Sequence, residues 1–404
     1  MVRSALPTAN NPAADAAAVL RRLGFAILFF AIPLAALFTR RALVVMAPAA
    51  VGLLVLAAFL DGAARSPWER AIGFVTSRAG VAGLVLLLWT ALTLIWTPFL
   101  PQASERLFNI VAMSLMALAG YLTLPERMRS ANLYLLPIGV ALAALIAIPM
   151  LMREGGRLEP DGLGVERGMV VLALLLWPAL TWLHSRGRNL EAVALALAVA
   201  LGAFLTADVL PLIGLTAGAV AFALTAASPR AGTRIVGLLI AILLLAAPVL
   251  PFLLKPVAAG ILGPASSIVA SLDAWQASIL KEPLRLVTGH GLETSWRGRM
   301  LGLLPPAAPF SLLFEIWYEL GLVGAVSSAI LLSQAAFRAG ASRPVLAPGI
   351  MASFATAFAL GACGIGNAQV WWITALIVLA LVFVAVERGQ FRTKRPKAIL
   401  RRLR

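Results

Sequence analysis

Cysteine and histidine are almost absent from this sequence. The chain has one cysteine, Cys363, and two histidines among its 404 residues. A single cysteine excludes an internal disulfide and a metal site built from several cysteines. No second histidine, cysteine or carboxylate stands at metal-ligand spacing around His290. Walker A, dinucleotide-binding and nucleophile-elbow sequences are missing too. We therefore expect neither a metal ion nor another cofactor.

Charged residues are also scarce. Only 12% of the residues are charged, 61% are hydrophobic and the mean hydropathy is +0.95. A water-soluble domain of this length needs a far more polar surface. The apolar runs are rich in Leu and Ala and show no alternating pattern, which favours helices over a barrel. The composition predicts an all-α polytopic membrane protein.

The apolar runs and the breaks between them predict about 12 transmembrane helices and one large loop. The predicted spans are 24–39, 42–60, 79–97, 107–123, 132–152, 168–183, 190–206, 209–226, 235–253, 310–336, 344–362 and 368–386. These spans divide the chain into five parts. The parts are an N-terminal tail (1–23), helices 1–9 (24–253), the loop (254–309), helices 10–12 (310–386) and a basic tail (387–404).

Basic residues indicate the orientation. Roughly two thirds of the 33 Lys and Arg fall on the side that holds both termini. The positive-inside rule makes that side cytoplasmic, with the large loop on the opposite side. The net charge of +16 does not indicate nucleic-acid binding, because basic residues stand singly or in pairs between apolar runs. The basic tail fits anionic lipid headgroups, so membrane lipid is the expected partner and nucleic acid is not.

Several arginines lie on the non-cytoplasmic side, where the positive-inside rule does not place them. Arg106 and Arg167 each open an apolar helix, while Arg285, Arg297 and Arg299 lie in the large loop. Ionisable groups near the bilayer are costly and therefore indicate a partner. A guanidinium group can grip phosphate oxygens at two points. The alternative is that these side chains reach for lipid headgroups or pair with neighbouring glutamates.

Three residues could act as a proton acceptor. His290 is the only histidine on the non-cytoplasmic side, and a histidine there can take a proton from a sugar hydroxyl near neutral pH. Glu315 and Glu319 lie one helical turn apart at the start of the tenth predicted span. They could provide a general base with its support, or pair with loop arginines. The loop also contains a predicted amphipathic helix from Ser266 to Leu280.

Four short segments resemble motifs of the O-antigen ligase family. The stretch FSLLFEIWYELGLVGA resembles the helix that follows the large periplasmic loop of that family. The resembling segments are Phe310–Ala325, Trp275 with Pro283 and Gly289–Leu292, Arg167-Gly168, and Trp96-Thr97-Pro98 with Ser104-Glu105-Arg106. The resemblance extends over most of the chain in its topology.

The resemblance implies a GT-C-like architecture in a bacterial inner membrane and a metal-independent glycosyltransferase. Such enzymes move a glycan from undecaprenyl pyrophosphate to a lipid A-core acceptor, and related members polymerise glycans or glycosylate proteins. Family arginines hold the pyrophosphate, and a loop histidine activates the acceptor hydroxyl. Arg167 corresponds to the first of those arginines.

The sequence departs from the family pattern at two points. The family's H-P-H-N motif is replaced by Ala308–Ser311, and Ser271 stands where the family has an arginine. Either His290, Glu315 or Glu319 replaces the missing base, or the chain is catalytically degenerate. A degenerate chain would serve as a subunit of a protein partner or bind lipid-linked glycan. A glycan or lipid transporter is a further alternative.

Overall fold

The computed structural model describes residues 12–39, 41–62, 71–73, 75–154, 163–342, 344–366 and 369–390. Most of the predicted basic tail (387–404) and the first part of the predicted N-terminal tail (1–23) therefore lie outside the described residues. Within the described ranges the regular structure is helical throughout, and no strand occurs. The predicted all-α class is confirmed.

The described helices that position the site are numbered α1–α16 in chain order. They are α1 Pro12–Ala35, α2 Arg41–Leu60, α3 Arg78–Ile95, α4 Leu100–Thr123, α5 Ser130–Arg153, α6 Gly164–Ser185, α7 Asn189–Leu205, α8 Leu210–Ala227, α9 Pro229–Ala246, α10 Leu250–Leu262, α11 Ser267–Lys281, α12 Arg285–Thr288, α13 Thr294–Met300, α14 Leu312–Ala341, α15 Ala347–Cys363 and α16 Val370–Arg388. In this part of the chain, ten helices are long and apolar enough to cross a membrane. Helices α7 and α15 match two predicted spans, but each is only 17 residues long, which is about 25 Å.

Two predicted boundaries need correction. The ninth span was predicted over 235–253, whereas α9 ends at Ala246 and a new helix starts at Leu250. Pro248 lies in this break, and a proline removes a helical hydrogen bond and clashes with the preceding turn. The predicted loop (254–309) thus begins inside α10. Residues 12–23, predicted as tail, are helical, because their many alanines favour a helix.

Two apolar cores hold the helices together. One surrounds α6, of which 83% is buried, and includes residues of α1, α2, α5 and α16. The other joins α9, α14 and α15 to helix α11 of the loop. Many large apolar side chains remain exposed on the outside of the bundle. A soluble monomer does not expose so much apolar surface, so the chain is a multi-pass helical membrane protein.

Candidate functional site

Helix α11 fastens the large loop to the bundle. Trp275 is buried and packs edge-on against Phe314 of α14, with ring centroids 5.7 Å apart. On the opposite side Lys255 of α10 pairs with Asp273, and the Gln276 side chain donates to the carbonyl of Pro251 at 2.9 Å. The predicted amphipathic helix at 266–280 is confirmed as Ser267–Lys281.

The Gly289-His290-Gly291 segment docks against the backbone of α14. The amide of His290 donates to the Tyr318 carbonyl at 2.8 Å, and that of Gly291 donates to the Glu319 carbonyl at 3.0 Å. These carbonyls lie in a π-helical turn, Ile316–Leu320. Such turns interrupt the regular hydrogen-bond ladder and are frequent at functional sites. A Cβ at Gly289 would lie 2.2 Å from the Glu319 carbonyl oxygen, so this close approach requires glycine.

The turn between α3 and α4 completes the junction. The Thr97 hydroxyl donates to the Leu292 carbonyl at 2.8 Å, and the Trp89 indole donates to the Leu320 carbonyl at 2.7 Å. Three segments that are far apart in the sequence therefore meet: the turn after α3, the Gly-His-Gly segment and the start of α14. These segments are three of the four that carry the family resemblance.

A buried ion pair lies beneath this junction. Nη1 of Arg106 donates to both carboxylate oxygens of Glu319, at 3.1 and 3.0 Å. The same carboxylate accepts hydrogen bonds from the hydroxyl of Ser295 at 2.6 Å and from its amide at 3.2 Å. Only 10% of the Arg106 side chain and 3% of the Glu319 side chain are exposed. The carboxylate of Glu319 is therefore occupied by Arg106 and Ser295.

Glu293 adds a second carboxylate to this pair. Its oxygens lie 3.6 Å from Arg106 and 3.9 Å from Arg297. Burial raises the pKa of Glu293, while Arg106 acts in the opposite direction. Its φ of +72° is left-handed, which is uncommon for a residue with a side chain and tends to occur at functional sites.

A cavity lies between α4, α13 and α16, and we call it the α4–α16 cleft. It has a volume of about 270 Å³. Its lining residues are Gln102, Glu105, Arg106, Asn109, Ile110, Met113, Glu293, Trp296, Arg297, Gln369, Val370 and Ile373. One end is charged and the other apolar. Glu105 and Glu293 offset the two arginines, so the cleft has no formal excess of positive charge for a diphosphate.

A larger cavity of about 730 Å³ lies on the other face of α13, and we call it the His290 cavity. Its lining residues are Trp96, Pro98, Phe99, Ala277, Ser278, Lys281, Glu282, Arg285, His290, Thr294, Gly298, Gly302, Leu303, Leu304, Pro305, Pro306 and Tyr318. Its lining contains two cations, Lys281 and Arg285, and one carboxylate, that of Glu282. The His290 cavity is thus the one with an excess of positive charge.

The imidazole of His290 has a defined orientation. Nδ1 lies 3.0 Å from the Tyr318 carbonyl, which can only accept, so Nδ1 carries the proton in the neutral ring. The ring also stacks on Tyr318 with centroids 4.0 Å apart. Nε2 therefore holds the lone pair and lies 3.5 Å from Glu282. Burial lowers the pKa of His290, although the Tyr318 carbonyl and Glu282 oppose the shift. In its neutral form the ring can accept a proton at Nε2.

The remaining candidate residues lie outside both cavity linings. Arg167 is 6.0 Å from the ring of Trp371, which is next to Val370 of the α4–α16 cleft. Arg299 donates to the Pro309 carbonyl at 2.6 Å and lies 3.4 Å from the ring centroid of Phe310. Burial lowers the pKa of Arg299. The predicted arginines therefore do not all line one common cavity.

Glu315 is also buried and only 2% exposed. A Cβ at Gly366 would lie 2.4 Å from one of its carboxylate oxygens, so the carboxylate packs against the backbone after α15. Of the three predicted proton acceptors, His290 alone lines one of the two cavities.

Sequence reasoning did not single out Lys281, Glu282, Glu293 or Tyr318. Lys281 and Glu282 lie at the end of the amphipathic helix. The apolar stripe on the preceding turns had indicated only that this helix packs against the bundle. Glu293 directly follows the Gly-His-Gly-Leu segment, and this proximity was the available signal. Tyr318 contributes mainly its backbone carbonyl and the face of its ring, which no residue pattern reveals.

Among the described residues, no group of three or more His, Cys, Asp or Glu side chains could hold a metal ion. No protein-family model matches the chain, and no curated protein matches it.

Proposed function

We propose that this protein is an O-antigen ligase-like membrane glycosyltransferase. It moves a glycan from undecaprenyl pyrophosphate to a lipid A-core or other surface acceptor. In this proposal the chain has 12 spans in a bacterial inner membrane, both termini are cytoplasmic, and the loop at 254–309 is periplasmic. The family motifs that meet at the start of α14 support this assignment.

The orientation of His290 is the observation that carries the proposal. Its Nδ1 proton is committed to the Tyr318 carbonyl, and its Nε2 lone pair belongs to a ring that lines a cavity with two cations. Glu282, 3.5 Å from Nε2, stabilises the imidazolium that forms when the ring takes a proton. A base with a pKa near or below neutral is largely deprotonated at neutral pH, so it can accept a proton in the reaction.

The proposed reaction is a single displacement. An acceptor hydroxyl oxygen attacks the anomeric carbon of the donor sugar, and its proton passes to Nε2 of His290. The bond from that carbon to the diphosphate oxygen breaks, and undecaprenyl pyrophosphate leaves with the electron pair. Lys281 and Arg285 stabilise the negative charge that grows on the leaving oxygen.

The other predicted residues receive supporting roles. Arg106 and Glu319 hold the loop to α14, because Arg106 pairs with Glu319 of α14 and with Glu293 of the loop. Arg167 and Arg297 belong to the side of the α4–α16 cleft, which we assign to the lipid part of the donor rather than to its diphosphate. Of the most apolar 18-residue stretch of helix α4, only 6% is buried, and in this proposal the rest of that stretch borders lipid.

The assignment is tested with a deletion strain that carries plasmid copies of the gene. Surface polysaccharide is run on a gel, and the lipid-linked precursor is quantified. Loss of long-chain material with accumulated precursor supports ligation. Arg285→Ala should reproduce the loss, while Arg297→Ala should not. Loss in Arg167→Ala together with normal transfer in Arg285→Ala would move the diphosphate to the α4–α16 cleft and overturn our assignment.

The alternative is a degenerate relative that binds lipid-linked glycan without turning it over. The commitment of Glu319 to Arg106 favours it, since one proposed replacement base is occupied. In that case the deletion strain keeps an unaltered polysaccharide ladder, and purified protein still binds the lipid-linked glycan. His290→Ala would then change neither property.

A further inference from the structure

The loop segment Leu280–Gly291 exposes an unusual amount of apolar surface. The exposed fraction is 69% for Leu280, 85% for Leu284 and 53% for Val287. Single exposed apolar side chains are ordinary, but three large ones within eight positions indicate an apolar environment or a partner. The question is what covers them.

The part of the segment around Val287 lies below the loop-side end of α3 along the helix axes, whereas its Gly291 end lies against Thr97 in the turn after α3. The Val287 carbonyl oxygen lies 2.6 Å from the position of a Cβ on Gly321. The preceding residue of α14, Leu320, accepts a hydrogen bond from Trp89 of α3. Val287 and Trp89 are therefore at nearly the same level. Helix α3 continues beyond Trp89 to Ile95, which is about 9 Å farther toward the loop side.

The surface of α3 is apolar and exposed at that level and beyond it. Leu88, Leu92 and Ile95 are 62%, 43% and 78% exposed. Apolar exposure that continues to the end of α3 indicates that the hydrocarbon region reaches past Trp89. We propose that Leu280–Gly291 is a re-entrant segment, inserted into the leaflet on the loop side, with Leu284 and Val287 against lipid acyl chains.

The backbone amides from Arg285 onward largely meet the requirement for such insertion. Non-helical backbone at membrane depth persists only where its polar groups are satisfied by protein or face a water-filled cavity. Six amides between positions 285 and 291 donate to backbone carbonyls. They are those of Arg285, Leu286, Val287, Gly289, His290 and Gly291, which donate to Glu282, Pro283, Leu284, Arg285, Tyr318 and Glu319.

The charged side chains of the segment lie on the other face. Lys281, Glu282 and Arg285 line the His290 cavity, while the leucines and the valine are exposed outside it. The segment thus has an apolar face toward lipid and a charged face toward the cavity. The inserted segment places the His290 cavity at the edge of the leaflet, so a lipid-anchored molecule can enter this cavity from the membrane. This inference does not depend on the proposed transfer reaction.

The lone cysteine makes the test direct. In a Cys363→Ala background, Leu284→Cys is spin-labelled in the full-length protein, reconstituted in phosphatidylethanolamine and phosphatidylglycerol vesicles. Power saturation compares collision with oxygen, which concentrates in lipid, and with a water-soluble nickel chelate. Leu88→Cys is the matched control at the same level on α3, and Arg188→Cys, in the polar turn before α7, is the aqueous control.

We expect the label at position 284 to match that at 88, with high oxygen and low nickel accessibility. A label at 284 that behaves like the one at 188 places the segment in water and overturns the proposal. Low accessibility to both reagents would mean that protein covers the segment, which overturns it equally. Gel filtration of each labelled variant shows that it is folded before the comparison is made.

Discussion

Replacing Arg106 by methionine should strongly destabilise the protein, because it leaves the buried carboxylate of Glu319 without its cation and Glu293 with Arg297 alone. Methionine keeps the unbranched inner part of the side chain but lacks the guanidinium group, whose Nη1 lies 3.0 Å from Glu319 and 3.6 Å from Glu293. Breaking a buried ion pair from one side costs about 3–5 kcal/mol. At about 2 °C per kcal/mol for a large chain, the apparent Tm should fall by roughly 6–10 °C.

The matched control is Arg21→Met, which makes the same chemical change in a more exposed pair. Arg21 lies 3.0 Å from Asp61, but their side chains are 23% and 36% exposed, and such pairs contribute about 0–1 kcal/mol. The double variant Arg106→Met with Glu319→Gln should recover at least half of the lost Tm, because the amide still accepts from Ser295. Thermal unfolding in detergent by intrinsic fluorescence measures all four proteins. Equal small shifts for both single variants would refute the argument.

Three further predictions concern the loop. Glycan transfer should fall as the pH drops through the pKa of His290, which burial lowers from its ordinary value, because protonated His290 cannot accept a proton; a rate that does not fall on acidification while the protein stays folded would contradict this. Gly289→Ala should lower the Tm by several degrees, whereas Gly302→Ala, with the same φ of +72° but open space around it, should cost much less; equal effects would mean that backbone strain, and not the contact with α14, matters. Trp89→Phe should lower the Tm by about 2 °C, since it removes a hydrogen bond of about 1 kcal/mol to α14, and an unchanged Tm would contradict that role.

The membrane-spanning helices were predictable because the bilayer imposes a long apolar run on each of them. Helix α6 and the amphipathic α11 are examples in which the residue pattern determines the element. The break between α9 and α10 was missed, although Pro248 marks it, because the apolar run continues through the proline. Residues 12–23 were predicted as tail because hydropathy does not detect a helix whose formation depends on the helix propensity of its alanines and on packing.

The site was predictable only in part. His290, Arg106 and Glu319 were recognisable as charged or titratable groups in unusual positions. Their pairing depends on which turn of α14 meets the loop, and that is set by the π-helical turn at Ile316–Leu320. No periodicity in the sequence reveals this turn. The separation of Arg167 from the His290 cavity likewise follows from helix packing and not from residue type.

The central claim is that His290 is the base of a glycan transfer. It is tested most directly with purified protein reconstituted in vesicles with a lipid-linked glycan donor and a lipid A-core acceptor. His290→Asn, which keeps a side-chain donor for the Tyr318 carbonyl, should slow transfer by about 100- to 10,000-fold without preventing donor binding. Transfer at the rate of the unchanged protein would contradict the account.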